Sequence, residues 1–303
     1  MKISVIICTY NPRRDYLERV LKALKVQTLP FDQWELIVVD NQSVPSVLSW
    51  LDFSWHPLGS ILSEPRAGQT WARICGIQNA KSSLLVFVDD DNILDEKYLE
   101  NALAIANQYP LVGAFAGNVK LVFEKSPPEW LTDYQGSLAA RIVSDPVWSN
   151  EVTANCVPNG AGLIVQRKVA ESWSTRVMAD SYISEIGRKK GALLSADDTM
   201  LSLSTLKVKL GFGLFPELKI AHLIPETRTS VKYMGKLIRG ISYSNHILIF
   251  AGWRPLQKYP VWKGLIAILL AVRKGWPHFY FKFLYLLGYF QAKRLAARLS
   301  IKD

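Results

Sequence analysis

The chain is short of cysteine, of acids toward its carboxyl end, and of the glycines a dinucleotide site needs. Cys8, Cys75 and Cys156 are its 3 cysteines. The count is odd and no pair stands at metal-ligand spacing, which argues against a disulfide framework or a Cys-based zinc site. With no signal peptide evident, the thiols read as reduced in a cytoplasmic protein, and Cys8 as core packing in a strand. No Gly-x-Gly-x-x-Gly follows the first strand-like segment, so the dinucleotide-binding form of an α/β fold has no support. No apolar run approaches the roughly 20 residues of a membrane span. Repeats, low-complexity tracts and long Pro/Gly/Ser linkers are absent as well.

Three acids closing an apolar run are the most telling feature present. Leu84-Leu-Val-Phe-Val88 has the pattern of a buried strand, and Asp89-Asp90-Asp91 follows it at once. Ligands of open α/β sheets bind at the carboxyl ends of the strands, and hard divalent cations take carboxylate and phosphate oxygens. A solvated acidic turn is the plainer alternative. The first ninety residues repeat one unit. Strands are expected at Lys2 to Thr9, Trp34 to Asp40, Ser60 to Ser63 and Leu84 to Val88, with helices over Asp15 to Gln27, Gly68 to Ala80 and Asp95 to Gln108. This alternation predicts an α/β class with a parallel, doubly wound sheet and right-handed crossovers. A second acid, Asp40, closes the second strand, where it could contact a ligand or cap the strand end.

Five or six segments in order carry a resemblance. Ser4-Val-Ile-Ile-Cys-Thr-Tyr-Asn11, Ile37-Val-Val-Asp40-Asn41, Ala72-Arg73 with Gly76 and Ala80, and Val86-Phe-Val-Asp89-Asp-Asp91 resemble the family 2 glycosyltransferases of the GT-A fold. Pro158 to Arg167 is similar to that family's acceptor-side strand. Gly187-Arg188 followed by Ser195-Ala-Asp197-Asp198-Thr-Met-Leu201 is similar to its Glu/Asp-Asp box, and Gly211, Pro216 and His222 continue the order. The resemblance spans residues 1 to about 245. It departs from the family pattern at Ile74, where Asn is common, and at Asp197, where Glu is usual. The Gln-x-x-Arg-Trp motif of processive members is missing, since Gln291-Ala-Lys-Arg294-Leu295 lacks the Trp; this favours transfer of a single sugar.

The resemblance implies an inverting transfer from a nucleoside-diphosphate sugar, with a UDP- or GDP-sugar donor and a glycan or lipid-linked hydroxyl as acceptor, in the assembly of surface polysaccharide or glycoconjugate. It places Thr9, Tyr10, Asn11, Asp40, Arg73, Asp89 and Asp90 at the nucleotide. Asp91 and Asp89, with His222 as a third ligand, would hold a divalent metal, Mn²⁺ or Mg²⁺, that stabilises the departing diphosphate. Asp198 or Asp197 would be the general base. Each has a structural rival: Asp197-Asp198 could cap a helix, Arg73 could be a solvated helix residue, and His222 could be a hydrogen-bonded core histidine. Arg228 could reach the diphosphate or form a surface salt bridge. Residues 125–146 read as an irregular loop shaping the acceptor pocket.

Composition changes near residue 220. Residues 219–303 hold 15 Lys and Arg against Glu226 and Asp303, a balance of +13 within a whole-chain +10, which leaves −3 for residues 1–218. The segment is rich in Trp, Tyr and Phe, and Leu265-Ile-Ala-Ile-Leu-Leu-Ala-Val272 is flanked by Lys263, Arg273 and Lys274. Basic aromatic helices of this kind lie in the interface of anionic membranes. The expectation is therefore a catalytic domain over residues 1–245 and a helical, membrane-associating segment over 246–303, on the inner face of the cell membrane. A packed helical subdomain is the rival. A metal-dependent nucleotidyltransferase lacks its Gly-rich loop in Thr9-Tyr-Asn-Pro-Arg-Arg14. A basic nucleic-acid binder would leave the strand-end acids without a role, so no nucleic-acid partner is expected.

Overall fold

The structure, a computed structural model, describes residues 1–52, 54–179, 196–255 and 261–298. Its nine strands form one mixed sheet. They are β1 (Ile3–Thr9), β2 (Trp34–Asp40), β3 (Gly59–Ser63), β4 (Leu84–Val88), β5 (Asn92–Leu94), β6 (Val112–Phe123), β7 (Val147–Ser149), β8 (Leu163–Gln166) and β9 (Gly211–Ile224). The order is β3-β2-β1-β4-β8-β6-β9-β5, with β7 pairing β9. The four strands of the repeating amino-terminal unit run parallel, as the alternation with helices requires. An all-parallel sheet, however, is not what forms. β8 pairs antiparallel with both β4 and β6, and β5 and β7 pair antiparallel with β9. β5 follows β4 after a short acidic turn, too short for the crossover helix that a parallel neighbour of β4 would need, and it pairs with β9 instead.

Strand alternation divides the core. Ile3, Val5 and Ile7 of β1 face one cluster, built with α1 (Arg14–Lys25) and α3 (Tyr98–Gln108). Ile6 faces the other, built with α2 (Gln69–Asn79), α4 (Arg167–Ala179) and α5 (Ala196–Leu203). Both faces of β1, β2 and β4 are covered, which accounts for apolar runs without polar alternation.

The carboxyl-terminal helices are α6 (Val231–Phe250), α7 (Val261–Arg273) and α8 (His278–Arg298). The expected boundary between residues 245 and 246 falls inside α6, where the helix runs on without a break. Ile247 and Leu248, just beyond it, belong to the main core with Ala292 of α8. α8 packs along α6: the Ser242 hydroxyl donates to the Tyr285 carbonyl at 2.6 Å, and the His246 and Tyr289 rings meet at 4.8 Å. Phe281 of α8 also packs on Trp130 and Tyr134 of a 3-10 helix, Glu129–Leu138, which occupies part of the expected irregular loop.

Candidate active site

A cavity of about 1070 Å³ opens at the carboxyl ends of β1 and β4. Thr9, Tyr10, Arg73, Asp89, Asp90, Asp91, Asp197, Asp198, His222 and Arg228 all line it, so the fold gathers residues up to 219 positions apart into one chamber. Gly136 to Ala139, at the end of the 3-10 helix, form part of the wall. One face of α6 forms another, through Tyr233, Leu237, Ile241 and Asn245. That four-residue spacing is a single helical stripe. Sequence reasoning missed it, because an apolar stripe on a helix reads equally well as core.

Asn11 and Asp40 do not line the cavity, although both were expected at the nucleotide. Asp40 accepts from the Ser43 amide at 3.0 Å, the Ser46 hydroxyl at 2.7 Å and the Val47 amide at 3.0 Å. Burial opposes its ionisation, yet these donors hold the carboxyl below its ordinary pKa. Asn11, with φ 47°, binds the same loop: its amide donates to Ser43 at 2.8 Å, and its side-chain oxygen accepts from the Val44 amide at 2.7 Å. The two residues shape a loop that presents Gln42 and Val44 to the cavity instead. Asn41 lines the wall while its side chain binds the carbonyls of Glu64 and Arg66 and the Gly68 amide, which positions the start of α2.

The acidic turn is not solvated. Thr9 donates to Asp90, and burial together with the charge of Asp91 pushes the Asp90 carboxyl up to about 7. Asp91 goes the other way. Burial opposes its charge, but His222 and Arg228 outweigh burial and hold it well below the usual carboxylate range. Arg228 Nη1 lies 2.7 Å from Asp91 Oδ2, so Arg228 forms neither a surface salt bridge nor a solvated end; its partner is inside the site.

His222 sits on β9 opposite Asn92 of β5, which brings it beside Asp91. Its Nδ1 lies 2.9 Å from the Leu138 carbonyl, an acceptor only, so Nδ1 carries a hydrogen. Nε2 then faces Asp91 Oδ1 at 3.5 Å. This is how metal-binding imidazoles are oriented, with one nitrogen donating to a carbonyl and the other aimed at the ion. Among the described residues no group of three or more His, Cys, Asp or Glu is placed to hold a metal by itself. Asp91 and His222 are two groups of the kind that could hold a cation, were it completed by phosphate oxygens and water.

The opposite wall separates the two acids of α5. Arg73 Nη1 donates to Asp197 Oδ2 at 2.8 Å, with both side chains almost fully buried. Arg73 is therefore not a solvated helix residue. Asp198 is half-buried at the cavity wall, where its Oδ2 accepts from the Gly160 amide at 2.9 Å and its Oδ1 from the Thr199 amide at 2.7 Å. A Cβ at residue 160 would lie 2.8 Å from Asp198 Oδ2 and 3.1 Å from Arg73 Nη2, so glycine is what lets the loop approach. Burial and the neighbouring Asp197 push Asp198 up to about 6, with Arg73 and the two amides pulling back. Gly187, Arg188 and Ser195, from the same expected box, lie outside the described residues. Cys8 lines the cavity as well as packing, and burial pushes its thiol up.

Residues 4–150, which contain the four parallel strands and the acidic turn, match the model of glycosyl transferase family 2. The family is thus matched over just under half of the chain, 147 of its 303 residues. Over 112 residues the chain is 29% identical to the poly(ribitol-phosphate) beta-N-acetylglucosaminyltransferase TarS of Staphylococcus aureus, an alignment covering 36% of the chain and 19% of TarS. It is 23% identical over 243 residues to the succinoglycan biosynthesis protein ExoM of Rhizobium meliloti, covering 78% and 71% respectively. The crystal structure of S. aureus TarS 1-349 in complex with UDP-GlcNAc superposes on 89% of the chain and 72% of that protein, with a TM-score of 0.55 and 16% identity, a likeness of fold. The chain thus matches about a fifth of the full-length TarS sequence. The family match ends near β7, so α5 and His222 lie beyond it and their roles rest on the geometry above.

Proposed function

We propose that this protein is a family 2 glycosyltransferase that moves one sugar, with inversion, from a nucleoside-diphosphate sugar to a hydroxyl of a glycan or lipid-linked acceptor. The observation that carries the reading is the division of labour on α5. Asp197 is consumed by Arg73, whereas Asp198 lines the same cavity as Asp91, His222 and Arg228. A carboxylate without a cationic hydrogen-bond partner, in the same cavity as Asp91, His222 and Arg228, suits a direct displacement. Asp198 takes the proton of the acceptor hydroxyl, that oxygen bonds to the anomeric carbon, and the diphosphate oxygen departs with the electron pair of the broken bond. Thr9 and Tyr10 flank the nucleoside side, and Arg228 is within reach of the diphosphate. Asp91 and His222 would hold the divalent cation, with Asp89 beside the donor; such a cation, when bound, neutralises charge growing on the leaving group.

The relatives named for work on poly(ribitol-phosphate) and succinoglycan support an acceptor in cell-surface polymer assembly, and UDP-GlcNAc bound to TarS supports a uridine donor. The test is a panel of UDP- and GDP-sugars with Mn²⁺, read as thermal shift and as product configuration by NMR. A product that retains the donor's anomeric configuration would overturn the mechanism.

We also infer that α7 and the start of α8 rest on an anionic membrane surface. Among the described residues no helix is long and apolar enough to cross a membrane. Yet Trp262, Ile266, Leu269, Leu270, Val272 and Trp276 are all exposed, beside Arg273 and Lys274. Exposed apolar and aromatic side chains bordered by cations fit the interface of an anionic bilayer. Such a location would put a lipid-linked acceptor within reach.

A further inference from the structure

A second, smaller cavity of about 390 Å³ adjoins the catalytic one. Asn159 and Arg254 line both. The smaller chamber shares nothing with Thr9, Tyr10 or Asp89 to Asp91, so it lies on the side away from the donor. Its described wall contains two guanidinium groups, Arg141 and Arg254, the side chains of Thr153, Asn155 and Asn159, and no carboxylate.

Each arginine has a backbone hydrogen bond and one buried side-chain nitrogen without an acceptor. The backbone of Arg141 bridges Val119 in both directions, and its Nε donates to the Gly117 carbonyl at 2.8 Å. Its Nη2 is buried without a hydrogen-bond acceptor. Arg254 stands just past the end of α6, its amide donating to the Leu248 carbonyl at 3.2 Å, and its Nε is likewise buried without an acceptor. Burial pushes both guanidiniums down from their usual range; the carboxylate whose field reaches Arg141 is Asp198. Buried cationic donors with no acceptor are costly, and a native site that keeps two of them in one concave, carboxylate-free chamber has a use for them. Planar guanidinium forks match oxyanions, and the Asn and Thr side chains add neutral donors.

We propose that Arg141 and Arg254 form an oxyanion subsite that binds a phosphate or carboxylate group carried by the acceptor. Its position fits that role: the amide of Gly160, the neighbour of Asn159, donates to Asp198, so an anion held here sets the acceptor next to the base. The acceptor class that follows is an anionic one, a phosphate-bearing or uronate-bearing glycan or lipid-linked sugar. Calling the ligand an acceptor rests on the glycosyl-transfer reading above; the anion site itself does not.

The test uses the full chain saturated with nucleoside diphosphate and Mn²⁺, so that the donor site is filled. Inorganic phosphate and glucuronate are titrated by calorimetry against wild type, Arg254→Gln and Arg141→Gln, with thermal unfolding as the control for folding. Binding of either probe to wild type, weakened about tenfold or more in Arg254→Gln with unchanged nucleoside diphosphate affinity, is the expected result; phosphate against glucuronate distinguishes the two sources. If Arg141→Gln fails to fold, Arg254→Gln decides alone. Absence of binding by both probes, or equal binding in wild type and Arg254→Gln, overturns the subsite. Sugar transfer from the donor without anion binding sinks the subsite alone. Anion binding in a protein that turns over no nucleotide sugar keeps the subsite and sinks the transferase reading.

Discussion

Arg73 on α2 and Asp197 on α5 are 124 residues apart and form a buried ion pair, with 2.8 Å between Nη1 and Oδ2. The pair assigns different work to adjacent acids. Asp197 ties two helices together beneath the cavity, and Asp198 is left facing it.

Exchanging each acid for its amide separates the roles. Asp198→Asn is expected to keep donor binding and lose at least about a hundredfold in turnover, the low end for a general base. Asp197→Asn leaves Arg73 buried beside a neutral amide, and breaking a buried pair costs about 3–5 kcal/mol. Its main defect should appear in denaturant unfolding. If Asp197→Asn instead folds normally and loses turnover at the chemical step, the base is Asp197.

The pH profile should carry the signature of Asp198. A base must be ionised, and this carboxyl is pushed up to about 6 by burial and Asp197. Turnover should fall on the acid side with an apparent pKa near that value, and the limb should vanish from the residual rate of Asp198→Asn. The sign for stability is the reverse. A carboxyl raised in the folded state binds protons more tightly there than in the unfolded chain, whose Asp titrates near about 3.9, so its contribution to stability is lost as pH rises through the folded value. Asp198→Asn should flatten that part of the stability curve.

Metal linkage can be read without turnover. Nucleoside diphosphate should bind about 10- to 100-fold more tightly in Mn²⁺ than in EDTA, and Asp91→Ala and His222→Ala should each remove most of the difference. Equal calorimetric affinities in Mn²⁺ and EDTA would leave Asp91 and His222 as an internal pair anchoring Arg228.

Membrane attachment is best tested by surface substitution. Truncation after Asn245 would remove Ile247 and Leu248, both fully buried, together with α8, and such core losses cost about 2–5 kcal/mol per large side chain. That truncated chain is expected to unfold. Leu269→Asp and Leu270→Asp fall on exposed positions and should leave folding intact. Sedimentation should show wild type on anionic vesicles, less on neutral ones, and partial release in high salt, since each basic residue near the surface contributes about 1 kcal/mol. Failure of the Asp variants to change sedimentation would exclude α7 as the contact.

The amino-terminal half was legible in the sequence because its signals are local. Continuous apolar runs in Ile3–Thr9, Trp34–Asp40 and Leu84–Val88 require strands buried on both faces, and helix-period segments between them require crossovers. Asp89 to Asp91 follow directly on a strand end that opens into a cavity. The limit appears at Asn11 and Asp40. Their residue types suit ligand contact and loop capping equally, and the hydrogen bonds they make with residues 43–47 exist only once the loop has folded.

What the sequence determined by itself is therefore the pattern of strands, the position of the acidic turn and the charge asymmetry, all properties of near neighbours along the chain. The tertiary structure decided the rest. It reversed β8 within the sheet, joined α8 to the core that α6 completes, and turned Asp197 inward to Arg73 while leaving Asp198 at the cavity. It also placed His222 beside Asp91, and put Arg141 and Arg254 on the wall of one adjoining chamber. Each of these depends on contacts across tens to hundreds of residues, where burial without a partner is costly and the pairing that satisfies it is fixed by packing.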